Sequence, residues 1–196
     1  FACAVYCIDE TPIRLADVVV VNGAGPLGLM NIRLAVLRGA HVIATDLSEY
    51  RLGVARKLGA AETVNLSKVE DHVAAVRALT EDGRGADVVI EAVGLPETWE
   101  KSILMARKGG FVMEFGGCKT GTTIIIDTGL LHYSQITVKG LFHTTPRHVQ
   151  MTFDLLKRGV IKAEDFVTGH YPLEKTVDAI MDHASGNGIK NEIVMW

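Results

Sequence analysis

Within six residues the 196-residue chain carries Gly23-Ala24-Gly25-Pro26-Leu27-Gly28, and eighteen residues after the last glycine stands Asp46. This is G-x-G-x-x-G followed at the expected distance by an acid, and each position has a chemical use. Gly23 permits a tight turn, Gly25 lets the backbone approach a pyrophosphate, and Gly28 lets a helix pack closely on a strand. The N–H groups at the start of that helix, with the positive end of its dipole, can hold phosphates, so Pro26 and Leu27 are counted with the three glycines as cofactor-binding. A carboxylate at Asp46 would accept hydrogen bonds from ribose hydroxyls and repel a 2′-phosphate. Leu47 and Ser48, which follow it, supply no cation to offset that repulsion. NAD is therefore expected rather than NADP. Arg51 is near enough to reach the adenine or a phosphate; the plainer alternative is a solvated helix residue. The plain alternative for the glycines is a tight strand-to-helix turn, and context weighs against it, because a strand precedes, a helix follows and an acid ends the next strand.

The elements that must position these residues follow from patterning. Val18 to Val21 have no polar alternation, which suits a central strand covered on both faces. Leu29 to Leu37 reads as a helix closed at Gly39, His41 to Thr45 as a second strand, and Ser48 as the cap of a helix to Leu58. The unit recurs: strands at Glu62 to Leu66, Ala86 to Ala92 and Phe111 to Phe115, helices over Val69 to Leu79 and from Pro96. Thr122 to Ile126 and Ile136 to Leu141 supply two more strands, with a short helix near Leu130 between them. Alternating strands and helices predict an α/β fold, a doubly wound parallel sheet of about six strands with helices on both faces. Beyond it, helices are expected from Pro146 to Lys157 and from Pro172. The second carries Leu173, Val177, Ile180, Met181 and Ala184 on one face. A last strand is expected over Glu192 to Trp196.

Composition narrows the function classes. At 48% hydrophobic and 22% charged residues, with a net charge of −3, the chain can bury a core and shows no basic run suited to nucleic acid or an anionic membrane. No apolar stretch approaches the roughly 20 residues that span a bilayer. Cys3, Cys7 and Cys118 have apolar neighbours and read as reduced thiols, from which a cytoplasmic setting is expected.

Beyond the glycine turn, the stretches VVVVNGAGPLGLM, GADVVIEAVG, KGGFVMEFGG, ITVKGLF and FVTGHYPLEKTVDAI, with the Asp46/Arg51 pair, resemble in order and spacing the zinc-type medium-chain dehydrogenase/reductase family of alcohol, polyol and threonine dehydrogenases. The resemblance implies a Rossmann domain in which Val93 and Gly94 line the adenosine side, Gly116 and Gly117 flank the nicotinamide, and Leu141, Phe142 and His143 lie near its ring. A plain core role is the alternative for Val93, Leu141 and Phe142. Polyol dehydrogenases often have arginine where His143 stands. The family places its zinc ligands and proton relay in a domain preceding this one. The chain opens at Phe1 within an apolar segment and looks cut, so no catalytic and no metal-binding residue is assigned to it. The division expected is a linker helix over 1–16, the dinucleotide-binding domain over 17–145, and a C-terminal remnant of the catalytic domain over 146–196. The function implied is hydride transfer between an alcohol or polyol and NAD, with zinc supplied by the full-length enzyme. A homodimer or tetramer is expected through the cofactor domain, with Thr122 to Ile126 as the pairing edge.

Several features invite other readings. None of the seven histidines has a convincing ligand spacing. Cys3 and Cys7, four apart, are better explained by packing. Tyr171 and Lys175 match a short-chain dehydrogenase pair by spacing, but Pro172 stands between them. A non-catalytic NAD sensor and an S-adenosylmethionine-dependent methyltransferase remain as alternatives from other classes.

Overall fold

A computed structural model describes residues 1–195 of the chain. The element order is α1 (Ala2–Glu10), β1 (Val18–Asn22), α2 (Pro26–Leu37), β2 (His41–Asp46), α3 (Glu49–Lys57), β3 (Glu62–Asn65), α4 (His72–Arg77), β4 (Ala86–Glu91), α5 (Pro96–Met105), β5 (Ala106–Glu114), α6 (Thr128–Tyr133), β6 (Thr137–Gly140), α7 (Pro146–Lys157), β7 (Val167–Pro172), α8 (Thr176–Ser185) and β8 (Lys190–Val194). Two compact units, Phe1–Val149 and Gln150–Trp196, divide it.

In the first unit six strands pair in the order β3-β2-β1-β4-β5-β6, all parallel. This is the doubly wound order, with the strand sequence reversing between β1 and β4. The register explains the apolar runs. Val20 sits beside Ile43 and Val89, and Val89 beside Val112. These four form one buried row, in a cluster completed by Val76 of α4 and Ile103 and Met105 of α5. Val19 and Val21 point to the other face and are equally inaccessible. Both faces being covered, no polar alternation survives in β1, as expected for a parallel sheet.

The strand expected over Thr122 to Ile126 is absent: the segment is irregular. Ile125 is 88% exposed, and its N–H donates to the Glu100 carboxylate. Ile124 and Ile126 pack on the core from a loop, so the alternation is real but has no ladder. The edge of β5 is already taken by β6. The helix expected over Val69 to Leu79 shortens to α4, because Val69 is extended and Asp71 caps the helix by accepting from the Ala74 N–H.

In the second unit β7 and β8 pair in parallel, and Ile161, Phe166 and Ile189 are buried. Pro172 does not open a helix. It is extended (ψ 161°) and ends β7, after which a short 3₁₀ turn over Leu173–Lys175 leads into α8. The last strand is Lys190–Val194; Trp196, to which the sequence pattern carried it, lies outside the described residues. Leu173, Val177, Ile180 and Met181 are all exposed.

Candidate functional site

β1 delivers the chain to Gly23 at φ +106°, a backbone state that glycine adopts without strain. A Cβ there would also fall 2.6 Å from the Val93 side chain. At Gly28 a Cβ would stand 1.9 Å from the Gly23 carbonyl oxygen, so α2 lies as close to β1 as backbone allows. Gly25 is different: a Cβ would meet nothing within 4 Å. It is the N-cap of α2, with Pro26 in the first turn and no side chain capping the helix. The first N–H groups of a helix have no intrahelical acceptor. Open space therefore lies where α2 presents its positive end, the setting in which helix N-termini bind phosphates.

Asp46 ends β2 beside this turn. Its Oδ2 accepts from the Ala24 N–H and its Oδ1 from the Ser48 N–H, both at 2.8 Å. The carboxylate thus fixes the turn, and each oxygen keeps a second lone pair for a ribose hydroxyl. Ser48 caps α3 by accepting from the Arg51 N–H. The Nε of Arg51 is buried with no partner among the described residues.

The ends of β4 and β5 close the other half of the site. Gly94 (φ +85°) leaves no room for a Cβ, which would fall 2.7 Å from the Gly117 carbonyl oxygen. A Cβ on Gly116 would meet the Glu91 carboxylate and the Gly94 N–H. The Trp99 indole donates to the Gly116 carbonyl at 2.8 Å. A cleft of about 490 Å³ lies here, lined among others by Trp99, Glu114, Gly116, Gly117, Leu141 and Phe142. Val93 is 46% and Phe142 89% exposed, so neither is core filling. His143 follows at φ +67° with its ring edge-on to Phe142. The glycine turn, Asp46, the Val93-Gly94 loop and the Gly116-Gly117 loop thus all sit at the carboxyl ends of adjacent strands, where open α/β sheets bind ligands.

Sequence reasoning missed a polar row beneath these loops. Asn22 pairs in register with Thr45 and Glu91, and Glu91 with Glu114, so all four side chains leave one face of the sheet, one step above the Val20 row. All four are buried. Asn22 accepts from the Thr45 hydroxyl and donates to Ser102. Glu91 accepts from the Val93 and Gly94 N–H groups and from the Thr98 hydroxyl. Burial raises the Glu91 carboxyl above its usual range against those donors. Glu114 has no hydrogen-bond partner on either oxygen among the described residues. Burial, and then the neighbouring Glu91 charge, push its pKa up to about 8. The signal was available: an acid ends each apolar run in VVIEAVG and FVMEFGG.

Elsewhere, no cluster of three or more His, Cys, Asp or Glu side chains suited to a metal occurs among the described residues. Cys7 is buried in α1, its thiol pushed up to about 12, chiefly by burial. Tyr171 lies in β7 and Lys175 in the 3₁₀ turn, so they share no helical face. No described helix is long and apolar enough to cross a membrane.

With this geometry in place, comparison with known proteins is direct. The sequence model of the zinc-binding dehydrogenase family matches residues 26–158. Sorbitol dehydrogenase of Bacillus subtilis (strain 168) is 28% identical over 184 residues, covering 92% of this chain and 50% of that protein. L-threonine 3-dehydrogenase of Bacillus licheniformis is 37% identical over 163 residues, covering 80% of this chain and 45% of its own length. Among solved structures, a provisionally named zinc-binding dehydrogenase of Sinorhizobium meliloti 1021 bound to NADP superposes with a TM-score of 0.85 at 28% identity. That match covers 99% of this chain and 54% of that one. The chain spans about half the length of the curated relatives it matches.

Proposed function

The chain belongs to the zinc-binding dehydrogenase family, and from that premise we propose that it is the NAD-binding part of an oxidoreductase that moves hydride between an alcohol or polyol and NAD. The observation that carries the reading is the open face at Gly25, at the start of α2 and beside Asp46. In this reading Gly23, Gly25, Pro26, Leu27 and Gly28 hold the pyrophosphate, and Asp46 with Arg51 holds the adenosine ribose and its surroundings. Val93 and Gly94 flank the adenosine side, and Gly116, Gly117, Leu141 and Phe142 the nicotinamide side. NAD, when bound, supplies the hydride acceptor; the protein's part is to orient it and exclude water. Zinc, which the family name implies, would polarise the alcohol oxygen from ligands outside the described residues. His143 is given no role.

Residues 1–16 are taken as the helix leading into the cofactor domain of residues 17–145, and 146–196 as the segment serving the catalytic half. A cytoplasmic enzyme acting as a dimer completes the proposal. With Thr122 to Ile126 irregular, its pairing edge becomes β6, the last strand of the sheet. The sensor and methyltransferase alternatives gain no support from the family match or from the dehydrogenases that resemble the chain.

NAD is preferred to NADP in this reading even though the solved Sinorhizobium structure holds NADP, because Asp46 is an anion where a 2′-phosphate would sit. Calorimetric titration tests it. NAD should bind, and NADP at least about tenfold more weakly, about 1.4 kcal/mol. Equal affinities would refute the role given to Asp46, and tighter binding of S-adenosylmethionine than of NAD would revive the methyltransferase reading.

A further inference from the structure

At the opposite end of the strands, by the amino-terminal ends of β4 and β5, lies a second cleft of about 520 Å³. Its wall carries four cations: Arg77 at the end of α4, Arg84 in the turn before β4, and Arg107 and Lys108 of β5. Asp87 is the one acid paired with any of them among the described residues. Its carboxylate meets Arg107 at 2.5 Å and Arg84 at 3.8 Å. Burial works against ionisation of Asp87. The Arg107 bond, the Val18 N–H and the two guanidinium charges outweigh it and hold the carboxyl below its usual range. Arg84 and Arg107 thus share one carboxylate, and Arg77 and Lys108 have no acid partner among the described residues.

Arg77 is the most informative of the four. It donates from Nε to the Gly83 carbonyl, from one terminal nitrogen to Leu104 and Ala106, and from the other to Arg84. Carbonyl oxygens orient a guanidinium without cancelling its charge. The side chain is thus fixed, cationic and without a counter-ion among the described residues, so little rotamer entropy remains to be lost when an anion arrives. Arg84 and Lys108 are exposed and stand at the mouth. With most of its N–H groups held by carbonyls, Arg77 contributes mainly fixed charge. Arg107 keeps its second terminal nitrogen, and it and the exposed Arg84 and Lys108 can donate to phosphate oxygens. A cleft of this size holds a small ligand.

We propose that this cleft binds a small, multiply charged phosphate compound, at a site separate from the glycine turn. Inorganic pyrophosphate is the probe. Because it can also compete at the glycine turn, the protein is titrated with saturating NAD present, both as wild type and as Arg84→Gln/Lys108→Gln. Those two side chains are exposed; Arg84 gives up its 3.8 Å ion pair with Asp87, which keeps its bond to Arg107, and circular dichroism checks the fold. Expected are saturable pyrophosphate binding to the wild type and at least a tenfold loss in the double variant, with NAD affinity unchanged. Absence of binding, or equal binding to both proteins, overturns the proposal. Loss of NAD binding in the wild type would strike the glycine-turn reading instead. The titration repeated without NAD then judges the cleft by the same tenfold criterion.

Discussion

Glu114 lines the cleft with Gly116 and Gly117, neither oxygen satisfied among the described residues, next to a second buried acid. A carboxyl titrating near pH 8 when folded and near 4.5 when exposed stays protonated in the native state while the unfolded chain ionises. Its contribution is complete below about pH 4.5, falls as the pH rises, and is lost once pH 8 is passed. Glu114→Gln should therefore unfold at higher urea than the wild type at pH 8.5, with the gap shrinking toward pH 4.5. Parallel pH profiles for the two proteins would show that Glu114 is ionised in the fold. Gly28 makes the opposite case, a position with no tolerance: Gly28→Ala should cost at least about 1–3 kcal/mol by overpacking, read from urea denaturation, and weaken NAD binding with it. At this scale the sequence was legible where spacing carried the signal, as in Gly23 to Gly28 and Asp46. Glu91 and Glu114 escaped because their meaning depends on register between strands distant in sequence. That Asp46 also pins the Ala24 N–H is likewise visible only in three dimensions.

Among the elements, β1 and α2 were readable because an unbroken valine run followed by a glycine turn has few other uses in a parallel sheet. Thr122 to Ile126 shows the limit. β-branched residues in alternation describe a segment with one side buried, and a loop lying on the core meets that description as well as a strand does. β7 went unannounced because Val167 to Pro172 includes Gly169 and a terminal proline, both poor strand formers, and pairing with β8 overrides local preference. The short α6 depends on Asp127, whose carboxylate accepts from the Gly129 and Leu130 N–H groups. Asp127→Ala should lower stability by about 1 kcal/mol in urea denaturation. An unchanged midpoint would mean that packing of Leu130 and Leu131 alone holds the helix.

For the molecule as a whole, the chain forms two compact units and spans about half the length of the curated relatives it matches. Dimerisation through β6 predicts a dimer mass in light scattering; a monomer mass at all concentrations would refute it. The claim on which the rest stands is that NAD binds across the carboxyl ends of the strands, at Gly25. Amide chemical shifts of the isotopically labelled chain, followed as NAD is added, test it most directly. The largest changes should fall on Ala24, Gly25, Leu27 and Gly28, with a second group at Val93, Gly94, Gly116 and Gly117. Changes confined to other residues, or none at saturating NAD, would contradict it.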